Sequence, residues 1–157
     1  MIIISELSTI AEWLRKLNVE FYQCDNCSAL HLSYLQKIEG VHDAKVELID
    51  DILIISIIAE IKASAIITLL GELSQINKST FLTKVYLEVN DNAEPKMVFS
   101  YAMHVAEGLT FNQFSLSLAS LEEEALQVIS ELYNCELLNN KNNLDDKPHF
   151  QVTNIFH

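Results

Sequence analysis

The sequence predicts an α+β domain in which helices and an antiparallel five-stranded sheet follow one another in the order α-βββ-α-ββ-α. Residues 41–49 and 81–89 alternate apolar with polar side chains, as half-exposed strands do. Residues 111–132 repeat apolar side chains at spacings of three and four, as an amphipathic helix does. Residues 52–59 are apolar at almost every position, which predicts a central strand covered on both faces.

One domain is expected over residues 1–138. Half of the 157 residues are hydrophobic, which is enough to build a core in a chain of this length. The segment 139–157 is predicted to be a polar tail with an apolar end, since its last residues include Phe150, Val152, Ile155 and Phe156. This apolar end is expected to dock on the domain or on a partner.

The first elements follow from local signals. Residues 5–17 predict a helix that ends at Asn18, and Thr9 with Glu12 predicts a capping box. Residues 21–32 predict two short strands joined by a tight turn at Asp25-Asn26, because Asp and Asn accept the backbone angles of turns.

The remaining elements complete the predicted order. Residues 64–76 predict an amphipathic helix, in which Gly71 is expected to permit the close approach of another backbone. Two strands follow, 81–89 and 96–106, and Phe81 belongs to the alternating apolar series of the first. Thr110 with Gln113 predicts a capping box at the start of the last helix.

Charge and composition exclude several classes of function. The formal net charge of −12 opposes direct binding to DNA, RNA or anionic membranes, and the ten basic residues form no cluster. A membrane span over residues 52–71 is not expected, because Glu60 and Lys62 would each cost about 2.5–3.5 kcal/mol in lipid. An odd number of cysteines and a start without a secretory signal predict a cytoplasmic protein.

Cys24 and Cys27 are the main candidates for chemistry, and three interpretations remain open. They are structural apolar residues beside a turn, or two ligands of a metal site that His31, His42 or Cys135 completes, or a redox pair. A redox pair works best at a helix N-terminus, and the residues after Cys27 predict a strand instead.

No catalytic residue and no cofactor are predicted. His42 and Asp43 are adjacent on a predicted strand and would point to opposite faces, and His104 is expected to be a core histidine. The apolar strand and the last helix supply the candidate protein-binding residues, which are Ile52, Ile54, Ile58, Phe114, Leu118 and Leu121. Packing of that helix on its own sheet is the favoured alternative to a dimer contact.

Several segments resemble one known family. They are Cys24-Asp25-Asn26-Cys27-Ser28-Ala29-Leu30-His31-Leu32, Gly40-Val41-His42-Asp43-Ala44-Lys45-Val46 and Gly108-Leu109-Thr110-Phe111-Asn112-Gln113-Phe114. Together they resemble the YbjN family of bacteria, whose members are described as sensory transduction regulators. The resemblance implies a fold like that of type III secretion chaperones, no catalytic residues, and roles in motility, surface polysaccharide and stress responses.

We therefore expect a non-enzymatic cytoplasmic regulator that binds an unidentified protein partner and forms a homodimer. Two alternatives belong to other classes. One is a metal- or thiol-responsive sensor that uses the Cys24/Cys27 hairpin, and the other is a holdase that resembles a secretion chaperone and binds an unfolded segment of a client.

Overall fold

The computed structural model describes residues 1–139, so most of the predicted tail, residues 140–157, lies outside the described residues. The elements are helix α1 (Ser8–Lys16), strands β1 (Tyr22–Gln23) and β2 (Leu30–His31), helix α2 (Ser33–Gln36), strands β3 (Asp43–Ile49) and β4 (Ile52–Glu60), a 3-10 turn (Ala63–Ala65), helix α3 (Ile66–Ser79), strands β5 (Lys84–Glu88) and β6 (Lys96–His104), and helix α4 (Phe111–Asn134).

The sheet is antiparallel throughout and has the strand order β1-β2-β3-β4-β6-β5. The described sheet contains six strands instead of the five predicted. The extra strand arises because both short arms of the cysteine hairpin join the sheet: Tyr22 pairs with His31, and His31 pairs with Lys45.

The core lies between one face of the sheet and the helices. Leu53, Ile55 and Ile57 of β4 are fully buried on that face. Ile54 and Ile58, on the other face, are only half-buried, although Val98, which lies opposite Ile58 on β6, is buried. The two faces of β4 are therefore covered unequally, whereas the sequence predicted full cover on both.

Helix α4 supplies the other half of the core. Phe114, Leu118 and Leu121 are buried, and the ring centroid of Phe114 lies 5.7 Å from that of Trp13 on α1. These three residues were candidates for a partner contact. They face the protein's own core instead, because the apolar stripe of α4 packs on the sheet. This packing was the favoured alternative to a dimer contact.

Of the two predicted capping boxes, one is present and the other is not. The predicted box at α4 is present: the Gln113 amide donates to the Thr110 hydroxyl at 3.1 Å, and Gln113 Oε1 accepts from the Thr110 amide at 2.9 Å. The box predicted for Thr9 with Glu12 is wrong. Helix α1 begins at Ser8, and its N-cap is Leu7, two residues before Thr9, with no side-chain cap bond. Asn18 lies just beyond its end and has a φ of 56°.

Gly71 does not lie near another backbone, contrary to the prediction. It is exposed in α3, and a Cβ added there would meet nothing within 4 Å. Glycine in a helix interior is therefore a conformational cost without a packing benefit.

We expect Gly71→Ala to raise the free energy of unfolding by about 0.5–1 kcal/mol, because alanine loses less backbone entropy in a helix. Urea unfolding followed by circular dichroism measures this change. A loss of stability in this variant would reveal a close contact at Gly71.

Candidate functional site

The loop of the β1–β2 hairpin brings three of the predicted ligand residues together. The ligand atoms of Cys24, Cys27 and His31 all lie within 4.8 Å of one another. Cys27 Sγ is 3.2 Å from His31 Nε2, and neither thiol is in a disulfide. We call Cys24, Cys27 and His31 the hairpin cluster.

A carboxylate on the neighbouring strand orients the histidine of the hairpin cluster. His31 Nδ1 lies 3.0 Å from Asp43 Oδ1, which also accepts from Gln36 Nε2 and the Ala44 amide, each at 2.8 Å. Burial would raise the pKa of Asp43, but the bonds from His31, Gln36 and Ala44 hold it below its ordinary value. Asp43 therefore carries its negative charge at neutral pH and accepts the Nδ1 proton.

The backbone of the hairpin loop also forms a hydrogen bond with the Cys24 thiol. The Asn26 amide donates to Cys24 Sγ at 3.4 Å. This bond is the main cause that lowers the pKa of Cys24. A lowered pKa increases the fraction of Cys24 that is thiolate, which is the form that binds metals and attacks electrophiles.

The other predicted residues lie elsewhere. His42 pairs with Glu60, with 3.0 Å between Nδ1 and Oε1, so it does not contribute to the hairpin cluster. Cys135 follows the last residue of α4 and is likewise not part of the cluster. His104 is exposed, contrary to the prediction of a core histidine, because it ends β6 where the sheet meets a surface cleft.

The sequence prediction missed an exposed apolar surface. Phe81 is 92% exposed, since β5 begins only at Lys84 and Phe81 lies in the loop before it. Leu82 and Leu116, exposed at 54% and 69%, line one cleft of about 340 Å³. We call Phe81, Leu82, Leu116 and this cleft the Phe81 patch. The other side chains that line the cleft are the apolar Tyr101, Met103 and Leu109 and the polar His104, Gln113, Ser117 and Ser120.

A carboxylate from α4 fixes the backbone beneath this patch. Glu124 Oε1 accepts from the amides of Phe81 at 2.7 Å and Leu82 at 3.3 Å, and Oε2 accepts from Thr83 at 3.0 Å. Burial would raise the pKa of Glu124, but these bonds hold it below its ordinary value. The loop is thus clamped to α4 at neutral pH.

This clamp is expected to release in acid. A carboxyl whose pKa is lowered by folding stabilises the fold fully above its ordinary value of 4.5 and loses that contribution as pH falls through the lower folded value. Amide chemical shifts of Phe81 and Thr83 should therefore titrate with a midpoint below 4.5. Glu124→Gln should abolish the transition, and a midpoint at or above 4.5 would contradict the clamp.

Comparison with known proteins identifies the family of this chain. A family described as "YbjN: Putative bacterial sensory transduction regulator" matches residues 6–134. The chain belongs to the YbjN family. This confirms the resemblance drawn from the cysteine hairpin and the segments around Gly40 and Gly108.

Individual YbjN relatives agree along most of the chain. "Uncharacterized protein YbjN" from Escherichia coli strain K12 and its counterpart from Shigella flexneri are each 38% identical over 137 residues, which is 87% of this chain and 87% of each relative. A solved structure, "Crystal structure of YbjN, a putative transcription regulator from E. coli", has a TM-score of 0.84 at 37% identity and covers 88% of this chain and 99% of that chain.

A more distant structure shows the fold alone. An uncharacterized protein from Methanothermobacter thermautotrophicus has a TM-score of 0.57 at 12% identity, over 82% of this chain and 97% of that chain.

The description of the YbjN family names regulation and not catalysis. Among the helices of residues 1–139, none combines the length and apolar character that crossing a membrane requires.

Proposed function

We propose that this member of the YbjN family is a non-enzymatic cytoplasmic regulator that acts by binding another protein through the Phe81 patch. The observation that carries the proposal is an aromatic side chain, 92% exposed, on a backbone that Glu124 holds in place. Phe81 is joined to the cleft through Leu82, the next residue in the chain, which lines it. Grouped exposed apolar side chains are typical of protein contacts. A preorganised backbone reduces the entropy lost on binding.

The charge around the patch defines the partner's chemistry. Glu107 precedes Gly108, which also lines the cleft, and Glu123 is exposed beside Glu124. The Lys84 ammonium lies 5.4 Å from the centre of the Tyr86 ring. The whole chain carries a formal charge of −12. The partner segment is therefore expected to place an apolar side chain in the cleft and basic residues around it.

The same charge disfavours a second copy of this chain as the occupant. Two copies would each bring a charge of −12 to the contact, and like charges oppose association. A homodimer and a holdase that resembles a secretion chaperone are therefore alternative outcomes of the test. The regulatory outputs we propose are those implied by the resemblance: motility, surface polysaccharide and stress responses.

Site-specific photocrosslinking tests the contact. A benzophenone amino acid is placed at position 81, at position 67 as a matched control, and at position 54 on the half-buried sheet face. Ile67 is 79% exposed on α3 and lies outside the Phe81 patch, so position 67 shows how much crosslinking exposure alone produces. We expect a discrete product from position 81, and the protein captured there is then purified and its binding measured directly.

The outcomes separate the proposals. A folded basic partner that binds the wild type and not Phe81→Asp supports the proposal. Capture of the chain by itself would establish the homodimer, and capture of many unfolded segments would establish the holdase. A product from position 54 alone would move the contact to the sheet face and overturn the Phe81 patch.

A further inference from the structure

We propose that the hairpin cluster is a zinc site in which Cys24 Sγ, Cys27 Sγ and His31 Nε2 are three ligands of one Zn²⁺ ion. The inference goes beyond the protein contact at the Phe81 patch and does not depend on it. It rests on the ligand atoms, on the residues that orient them and on the accessibility of the loop.

The ligand spacing is close to what zinc requires. Tetrahedral coordination with Zn–S bonds near 2.3 Å and Zn–N bonds near 2.0 Å places neighbouring ligand atoms about 3.5–3.8 Å apart. The cluster's atoms are within 4.8 Å of one another, and Cys27 Sγ to His31 Nε2 is already 3.2 Å. Small side-chain rotations in an exposed loop suffice to reach the metal-bound geometry.

The histidine is prepared to offer the correct nitrogen. Asp43 accepts the proton of Nδ1 at 3.0 Å, so the lone pair of the neutral ring is on Nε2, which faces the thiols. The Tyr22 ring stacks on the His31 ring with centroids 5.0 Å apart and restricts its rotation. A carboxylate behind a ligating histidine is the usual outer partner of zinc sites.

The type of ligand selects the metal. Two thiolates and one imidazole suit zinc, whereas calcium and magnesium prefer oxygen ligands. Cys27 is exposed and Cys24 is half-buried, so an ion reaches the loop from solvent. Three protein ligands leave the fourth position of the tetrahedron to water or to a ligand from a partner.

The ion would join elements that otherwise share few bonds. Strands β1 and β2 have two residues each, and Cys24 and Cys27 lie in the loop between them. Zinc would tie this loop to His31, and through Asp43 to β3. Because the ion binds the folded hairpin, it would also stabilise the fold by linkage.

Two other uses of the same atoms make different predictions. Cys27, His31 and Asp43 are linked as a nucleophile, a base and an orienting carboxylate would be. That arrangement does not need Cys24, whereas zinc does. A disulfide between Cys24 and Cys27 would use both thiols and would not need His31.

The test uses the full chain, purified under reducing, oxygen-free conditions and freed of metal by a chelator. Zn²⁺ is titrated against a chromophoric chelator of known affinity, and Co²⁺ is titrated as a spectroscopic substitute whose thiolate charge-transfer bands report sulfur ligands. We expect one equivalent of either metal to bind. Cys24→Ser and Cys27→Ser should each lose binding and the matching charge-transfer intensity.

Variants of residues that are not proposed as ligands test whether the three ligands are assigned correctly. Asp43→Asn should weaken Zn²⁺ binding by about 10–100-fold with the cobalt spectrum preserved, as expected for a positioning residue. Cys135→Ser and His42→Gln should bind as the wild type does. Thermal unfolding of each metal-free variant, matched to metal-free wild type, shows that any loss is not a folding defect.

Two results would overturn the zinc site. One is no stoichiometric uptake of Zn²⁺ by the reduced wild type, and the other is uptake by Cys24→Ser equal to that of the wild type.

Discussion

Phe114→Ala is expected to lower the free energy of unfolding by about 3–5 kcal/mol, because it removes a fully buried ring from the centre of the core. The Phe114 side chain is 0% exposed and contacts Trp13 of α1, so its loss leaves a cavity where two helices meet the sheet. Urea unfolding followed by Trp13 fluorescence measures the change.

Leu116→Ala, on the same helix, is the matched control. Leu116 is 69% exposed, and its replacement should change stability by no more than about 0.5 kcal/mol. If Phe114→Ala kept the stability of the wild type and altered the oligomeric state instead, α4 would be a contact between chains and not part of the core.

Gly40→Ala is expected to destabilise the protein by about 2–4 kcal/mol, from backbone strain and overpacking together. Gly40 has a φ of 89°, which L-residues rarely adopt. A Cβ there would lie 2.7 Å from Ile129 Cγ2 and 2.8 Å from Leu138 Cδ1. The side chains of Ile129 and Leu138, or the turn that holds Gly40, would have to shift.

Gly71→Ala is the opposite case, because it adds the same methyl group where nothing lies within 4 Å. The two variants should therefore shift the urea midpoint in opposite directions. Equal effects from both would show that the packing around Gly40 accommodates a methyl group.

The sequence was sufficient where a signal is local. Hydrophobic periods predicted the order of helices and long strands, and Thr110 with Gln113 predicted a cap that the structure confirms. Cys24, Cys27 and His31 were candidate ligands because they are close in sequence, and the hairpin brings them together.

The sequence was insufficient where a contact depends on strand register or on distant residues. Asp43 reaches His31 because β2 pairs with β3 so that His31 lies opposite Lys45, two residues from Asp43. Phe81 is exposed because Glu124 on α4 binds its amide and holds the loop outside the sheet. The alternation of apolar and polar residues within 81–89 does not indicate this contact with α4.

The Phe81 patch is tested most directly by titrating the purified partner, captured at position 81, against the wild type, Phe81→Asp and Ile67→Asp. We expect Ile67→Asp to bind as the wild type does and Phe81→Asp to bind at least about 30-fold more weakly, as loss of a central interface residue does. Equal affinity for all three proteins would contradict the Phe81 patch as the surface through which this protein acts.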